Sequence, residues 1–468
     1  MKFVSTRGRA PALSFSDAVL TGLASDGGLY LPESWPVLSP AEIAAFAGQP
    51  YAEVANTIIG RFVGDEIAPE ALHGIVADAY AGFRHPSVAP LVEIAPGRFV
   101  LELFHGPTLS FKDVAMQFLG RFMDHVLAAR NERVTIVGAT SGDTGSAAIE
   151  AFRGRERADV FILHPLGRTS EVQRRQMTTV DEPNVHNIAL EGTFDDCQTL
   201  LKGLFNDARF RTDLRLSGVN SINFGRIVSQ IVYYFTAAVS LGAPHRPVTF
   251  VVPTGNFGDI FAAYAAARMG LPIERLVIAT NANDILTRAL YKGRYEIAEV
   301  AVTSSPSMDI QVSSNFERLL FEAGGRDAGM VEAAMQGLRQ SGGFAIPDEA
   351  LAKIRDIFDA GAASDAEAAQ AIAETRERCG YLVDPHTAVG LSVAARVVPQ
   401  GRTPVVVLST AHPAKFPAAV AAATGIEPPL PLWLADLMSR EERFAVLAND
   451  QAAVAAHIRA NARAEEHL

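Results

Sequence analysis

The chain has 468 residues, 49% of them hydrophobic, and carries a formal charge of −11 from 41 Lys and Arg against 52 Asp and Glu. That is enough apolar material for two or three domains with sizeable cores, and the acidic balance without any basic run argues against a nucleic-acid partner. Two cysteines, Cys197 and Cys379, with no CxxC spacing, argue against a disulfide framework or a zinc site; with no signal-peptide core in MKFVSTRGRAP and no membrane-length apolar run, the expectation is a cytoplasmic globular protein, with no metal and no membrane partner.

Residues 1 to about 95 read as mixed helix and loop, with a turn-rich GLASDGGLYLPESWP (22–36) and helical stretches near 40–47 and 67–82. RFVLELF (98–104) then reads as a strand. HGPTLSFKDVAMQFLG (105–120) leads into a helix whose apolar positions Val114, Ala115, Phe118, Leu119, Phe122 and Met123 recur at helical spacing. Ser110 and Asp113 are spaced to close a capping box there, which puts Lys112 in the first turn.

From that point one pattern recurs: a β-branched run, a small polar loop, a helix. VTIVG precedes ATSGDTG (134–145), VTFVV precedes PTGNFGD (248–259), LVIAT precedes NAND (276–284), and PVVVLS precedes TAHPAKF (404–416). VFILHP (160–165) and NIALEG (187–192) add strands. Strands alternating with helices predict an α/β fold with mostly parallel sheets, whose ligands lie beyond the carboxyl ends of the strands. The Ala- and Glu-rich 326–378 reads as helical, PPLPLW (428–433) as a linker, and 439–468 as a surface amphipathic helix.

Three features in these loops carry chemistry. A helix N-terminus disfavours an ammonium, so Lys112 beside Phe111 reads either as an amine nucleophile of lowered basicity or as a lysine that snorkels to water. In Pro253–Asp259, Gly255 and Gly258 permit close backbone approach, Asn256 tolerates a left-handed conformation, and the helix behind offers free N–H groups; the loop contains no cation, so an anion there would be held by backbone dipoles. The competing reading is a tight turn with glycines for sterics. Ser141–Gly145 repeats the arrangement with hydroxyls at Ser141 and Thr144, and Asp143 would have to turn away from an anion or serve as a cap. Walker and GxGxxG patterns fail, and the eleven histidines lack metal-ligand spacing; single ones such as His105 and His164 read as satisfied core or loop residues. A reactive lysine with two anion loops on an α/β fold points to pyridoxal phosphate, which needs an aldehyde-accepting amine, a phosphate cup and a partner for its ring nitrogen.

With these residues in view, the sequence resembles the threonine synthase family, of the tryptophan synthase β type (fold type II). The similarity runs over nearly the whole chain: STRG…FSDAVLTGLASDGGLYLP, HGPTLSFKD, TSGDTGSAA, NSINFGRI (220–227), PTGNFGD, PSMDIQVSSNFER (306–318), DPHTAVG (384–390) and STAHPAKF (409–416). It implies two open α/β sheet domains plus an N-terminal mixed α+β domain, divided as 1–95, a catalytic region 96–430 with a smaller α/β domain at about 126–214, and a helical tail 431–468. It implies that Lys112 bonds the cofactor covalently and acts in catalysis, that Asp143 (commonly Asp in this branch, Asn in many relatives), Gly255, Asn256, Phe257, Gly258, Asp259 and Thr410 surround the cofactor, and that Ser141, Gly142 and Thr144 take the substrate carboxylate. Asn223 and Arg226 become candidates for the substrate phosphate; Lys415 is either a further one or a solvated helix-start lysine. His386 and Thr387 line the site, and Arg168, Arg174 and Arg175 read as a solvated face. The implied reaction makes L-threonine and phosphate from O-phospho-L-homoserine and water, in a monomer or homodimer. Alternatives on the same scaffold are a phospho-lyase giving a 2-oxo acid or a serine/threonine dehydratase; outside enzymes, the alternative is a metabolite-binding protein that kept the fold.

Overall fold

The computed structural model describes residues 1–399 and 401–463. The β-branched runs form two sheets. The larger places its strands in the order Phe358–Ala362, Ile273–Thr280, Val248–Pro253, Val405–Ser409, Arg98–Glu102, Leu91–Ala95; all neighbours are parallel except the last pair. The smaller is wholly parallel, in the order Ala445–Ala448, Val185–Glu191, Ala158–Pro165, Val134–Ala139, Leu216–Ser217. Such strands are apolar throughout because helices cover both faces: every residue of Val248–Pro253, Ala158–Pro165 and Val405–Ser409 is buried.

Long helices join the sheets. Phe224–Ser240 is buried along nearly its whole length. Lys112–Arg130 runs against Asp143–Phe152, and Gly120 lets them meet: a Cβ there would lie 2.4 Å from the Ala151 carbonyl oxygen. The N-terminal part packs its aromatic residues, Phe3, Phe15, Trp35 and Phe62, on Phe122 of the lysine-bearing helix and on Phe224. This packing anchors the middle of the helix Lys112–Arg130 and the start of Phe224–Ser240.

Several elements differ from the sequence expectation, among them short strands at Phe3–Ser5, Tyr30–Pro32, Leu91–Ala95 and Gly343–Ala345. Tyr51–Val63 is a full helix. Phe358–Ala362, inside the Ala-rich stretch, is an edge strand, because residues that would otherwise extend a helix satisfy their backbone on Leu276–Thr280. The tail is not a surface helix alone: it crosses to the smaller sheet, adds the strand Ala445–Ala448, and then packs Val454 and Ile458 of the helix Gln451–Asn461 into that domain's core. The smaller sheet and the core beneath it are therefore built from two separate stretches of chain.

Candidate active site

The carboxyl ends of Arg98–Glu102, Val134–Ala139, Val248–Pro253 and Val405–Ser409 deliver the loops singled out above. Lys112 is the first residue of its helix, as expected, but the Ser110–Asp113 capping box does not form. Phe111 occupies the cap position and has no side-chain bond to give. Ser110 is drawn instead into a bridge with Ala411, and the Phe111 N–H donates to the Thr410 carbonyl at 2.8 Å. Asp113 turns back to accept from the Thr108 N–H and hydroxyl at 2.8 and 2.7 Å. The lysine loop is thus stapled to the loop after Val405–Ser409, which places Thr410 next to it.

The Lys112 amine is buried, 5.2 Å from the centre of the Phe111 ring and 3.3 Å from Asp143 Oδ2. Burial pulls its basicity down, and Lys415 and Arg226 add to this against the opposing pull of Asp143. Asp143 is the hub. Its Oδ1 accepts from Lys415 Nζ and from Gln173 Nε2, both at 2.8 Å, while Oδ2 meets Lys112 and the Ser307 hydroxyl, both at 3.3 Å. Burial alone would raise its pKa, but the two lysines outweigh that and hold the carboxyl well below the ordinary range. The carboxylate that looked misplaced in an anion loop therefore faces cations. Lys415 is fully buried and also donates to the Thr108 carbonyl at 2.7 Å, so the solvated reading of this lysine is wrong.

Gly142 is held at φ +148°, where a Cβ would meet the Gln173 side chain at 2.5 Å. The Thr140 hydroxyl oxygen accepts from the N–H groups of Gly142 and Gly145 at 2.9 Å, shaping the loop, while Ser141 and Thr144 stay half-buried. In the other anion loop, Phe257 is left-handed at φ 63° and begins the helix Gly258–Arg268. The Asn256 carbonyl takes two bonds from Asn315, at 3.1 and 2.9 Å. The helices starting at Lys112, Asp143 and Gly258 all lack a side-chain cap, whereas Ser14, Ser39, Thr193, Ser364 and Asp384 cap theirs.

Two assignments need correction. Asp259 does not face the loop: its carboxyl lies against the hydroxyls of Tyr233 and Tyr234, the latter at 2.7 Å, and burial pushes its pKa up to about 6. Its side chain is therefore turned away from the loop. Asn223 spends its amide on architecture, with Oδ1 capping at Gly225 N–H (2.9 Å) and Nδ2 donating to the Val19 carbonyl (2.8 Å).

Arg226 is different. It is buried, makes one long bond to the Val219 carbonyl at 3.4 Å, and its Nε has no partner; no carboxylate lies within ion-pairing distance among the described residues. Burial lowers its pKa to about 10, against the pull of Tyr233 and Asp259. A buried guanidinium without an anion costs several kcal/mol, on the order of the penalty for any isolated buried ion. With a buried amine of lowered basicity and uncapped helix N-termini beside it, the residues present fit a cofactor that carries an aldehyde and a phosphate.

Other residues fall into place. His386 is buried, its Nδ1 2.9 Å from Asp384 and its ring 4.8 Å from that of Phe416; Thr387 also bonds Asp384. Arg174 and Arg175 are not a solvated face, since Glu442 of the tail pairs with both, at 2.8 and 3.5 Å. His105 bonds Glu102 at 2.7 Å, but His164 is a core residue with both ring nitrogens unpartnered rather than a satisfied one. Ser307, Gln173 and Asp384 were not singled out from the sequence. They reach the site from three separate elements; Ser307 and Asp384 lie within family-like segments, PSMDIQVSSNFER and DPHTAVG, and nothing in the sequence pointed to Gln173. Among the described residues no group of three or more His, Cys, Asp or Glu is arranged to hold a metal, and no helix is long and apolar enough to cross a membrane.

Comparison with known proteins agrees with this geometry. Family profiles described as "Threonine synthase N terminus", "Pyridoxal-phosphate dependent enzyme" and "Threonine synthase, C-terminal" match residues 2–80, 88–410 and 387–458. The chain is 53% identical over 459 residues to threonine synthase of Pseudomonas aeruginosa, covering 98% of each. Among solved structures, it is 60% identical to a pyridoxal-phosphate-bound threonine synthase from Brucella melitensis, with a TM-score of 0.97 over 99% of this chain and 100% of that one. It is 38% identical to the yeast threonine synthase, with a TM-score of 0.93 over 98% of each. The chain belongs to the threonine synthase family of pyridoxal-phosphate-dependent, fold type II enzymes.

Proposed function

We propose that the protein converts O-phospho-L-homoserine and water into L-threonine and phosphate, with Lys112, Asp143, the backbone of Gly255, Asn256, Phe257, Gly258 and Asp259, and Thr410 holding pyridoxal phosphate. The observation that carries this reading is the pairing of a reactive buried amine with a buried guanidinium, Arg226, that has no counter-ion of its own. The amine suits covalent attachment of the cofactor. The guanidinium suits a phosphate, and a substrate that brings its own phosphate supplies that anion.

Pyridoxal phosphate, when bound, supplies a sink for the electron pair left on the substrate carbon when a proton departs. The remaining work falls to the chain. Ser141, Gly142 and Thr144, at the uncapped start of the helix Asp143–Phe152, offer hydroxyls and N–H groups to the substrate carboxylate. Arg226 and Lys415 hold the substrate phosphate, Arg226 through its fork of donors. Lys112 Nζ, made less basic than a free lysine by burial, takes the proton from Cα; once it has released that proton it takes one from Cβ, as the γ-phosphate leaves towards Arg226 and Lys415, and it returns one proton to Cγ before water adds at Cβ and one to Cα afterwards. Thr410 would offer the cofactor's ring nitrogen an uncharged hydroxyl, which stabilises a protonated ring much less than a carboxylate would. Lys112, Asp143 and Lys415 are 8%, 4% and 0% exposed, so these charges act with little screening by water.

The test is incubation of the cofactor-loaded protein with O-phosphohomoserine, following threonine, phosphate and 2-oxobutanoate together. Equal release of threonine and phosphate, lost in Lys112→Ala, is expected. Release of 2-oxobutanoate instead would turn the reading to the phospho-lyase. The same reading places the enzyme in the cytoplasm, in keeping with the free thiols of Cys197 and Cys379.

A further inference from the structure

Ser307 links two parts of the site that no motif connects. It lies in the short turn Pro306–Met308. Its hydroxyl donates to Asp143 Oδ2 at 3.3 Å, and its N–H donates to His386 Nε2 at 3.3 Å. A backbone N–H can only donate, so Nε2 is the accepting nitrogen and the hydrogen of a neutral imidazole sits on Nδ1. Nδ1 in turn donates to Asp384 Oδ1 at 2.9 Å. Asp384 is itself fully committed: Oδ1 also takes the His386 N–H, and Oδ2 takes the N–H and hydroxyl of Thr387. The Thr387 hydroxyl lies 3.1 Å from that of Ser409. The turn is pinned from its other side by Asp309, which accepts from the Thr303 hydroxyl, Asn281 and Asn283 at 2.6, 2.7 and 3.0 Å.

The two oxygens of Asp143 are not equivalent. Oδ1 carries the short bonds, to Lys415 and Gln173. Oδ2 is shared at longer range between Lys112 and Ser307. Each donor on Oδ2 weakens the hold of the other, because both draw on the same negative charge.

We propose that Asp384, His386 and Ser307 form a positioning relay that weakens the hold of Asp143 Oδ2 on Lys112, so that Lys415 keeps the larger share of the counter-charge and the Lys112 ammonium gives up its proton more readily. The relay acts through Asp143 and touches no reacting atom. It rests on the reading of Lys112 as the cofactor-binding amine, and the test separates the two.

The variants are Ser307→Ala, Ser307→Thr, His386→Ala and His386→Gln, each checked for folding by circular dichroism. Two midpoints are read: the pH midpoint of the visible absorbance of the cofactor-loaded protein, and, in the cofactor-free protein, the pH midpoint of Lys112 carbamylation by cyanate followed by peptide mass spectrometry. Ser307→Ala frees Oδ2 for Lys112 and should raise both midpoints by about half a pH unit, roughly threefold in proton affinity, the size of one ordinary hydrogen bond. Ser307→Thr keeps the hydroxyl and should restore the wild-type values. His386→Ala should shift in the same direction, with His386→Gln, which keeps an acceptor for the Ser307 N–H, falling between. Unchanged midpoints in Ser307→Ala, or Thr and Ala variants that behave alike, would overturn the relay. If the wild-type protein took up no cofactor, the cofactor reading would fall, and the cyanate midpoints would still decide the relay.

Discussion

Replacing Asp143 by Asn removes the one carboxylate that two buried lysines share. Its attraction to Lys415 at 2.8 Å is about 6 kcal/mol at an effective dielectric near 20, and that to Lys112 at 3.3 Å about 5 kcal/mol. The desolvation of three ions offsets most of that sum, so the pair terms are not the stability lost. What the substitution leaves behind decides the outcome: two ammonium groups, 8% and 0% exposed, without a counter-charge. Stranding a buried ion in this way costs about 3–5 kcal/mol. The Asp143 pKa is depressed in the folded state, so its contribution is fully present above the unfolded value near 3.9 and is lost only as pH falls through the lower folded value. The loss in Asp143→Asn should therefore show undiminished across neutral pH. The assay is urea unfolding of the cofactor-free protein at pH 7, with Lys415→Met added in a second step. Removing the stranded ammonium should return about half of the lost stability, because methionine fills the stem's volume without a charge. If Asp143→Asn unfolds at the wild-type urea concentration, or if Lys415→Met in that background destabilises further, the view of Asp143 as the counter-ion that makes the buried lysines tolerable is wrong.

Arg226→Met should weaken phosphate recognition, raising KM for phosphohomoserine about tenfold or more, while the cofactor-free protein melts no lower than wild type, since an unpaired buried charge is being removed; a fall in melting temperature would point to a structural role instead. Gly120→Ala should cost about 1–3 kcal/mol by forcing the helix Lys112–Arg130 off Asp143–Phe152, read by thermal unfolding, and its rate should drop with its stability because Lys112 rides on the displaced helix. The Asp259 carboxyl, raised to about 6, holds its proton more tightly folded than unfolded, so its contribution is fully present below about pH 4 and is lost as pH rises through about 6. Asp259→Asn should remove that part of the pH dependence of stability, and an unchanged stability–pH curve between pH 4 and 7 would show that the carboxyl is already ionised among its tyrosines.

Much of this site could be read from sequence because its parts are local. A β-branched run followed by glycines and a helix sets its own geometry within ten residues, which is why Lys112, the Ser141–Gly145 loop and the Gly255–Asp259 loop stand where their patterns put them. The same local rules misjudged Ser110 and Asp113, because a bridge to Ala411 and a bond to Thr108 offered the backbone better partners than a capping box. They also missed the strands Phe358–Ala362 and Ala445–Ala448, whose residues become strands only because a sheet edge is waiting for them.

Charge partnership was the least legible part, and it decides the roles. Asp143 looked like a liability in an anion loop until Lys415, from the far end of the chain, arrived at 2.8 Å. Asn223 and Arg226 lie one helical turn apart in NSINFGRI, and the family resemblance made both candidates for the substrate phosphate. The fold separates them completely: Asn223 spends its amide on the helix start and on Val19, and Arg226 is carried inward with its Nε unpartnered. The distinction between a residue that builds a site and one that waits for substrate rests on whether its polar atoms already have partners, and those partners come from elements that no spacing along the chain brings together.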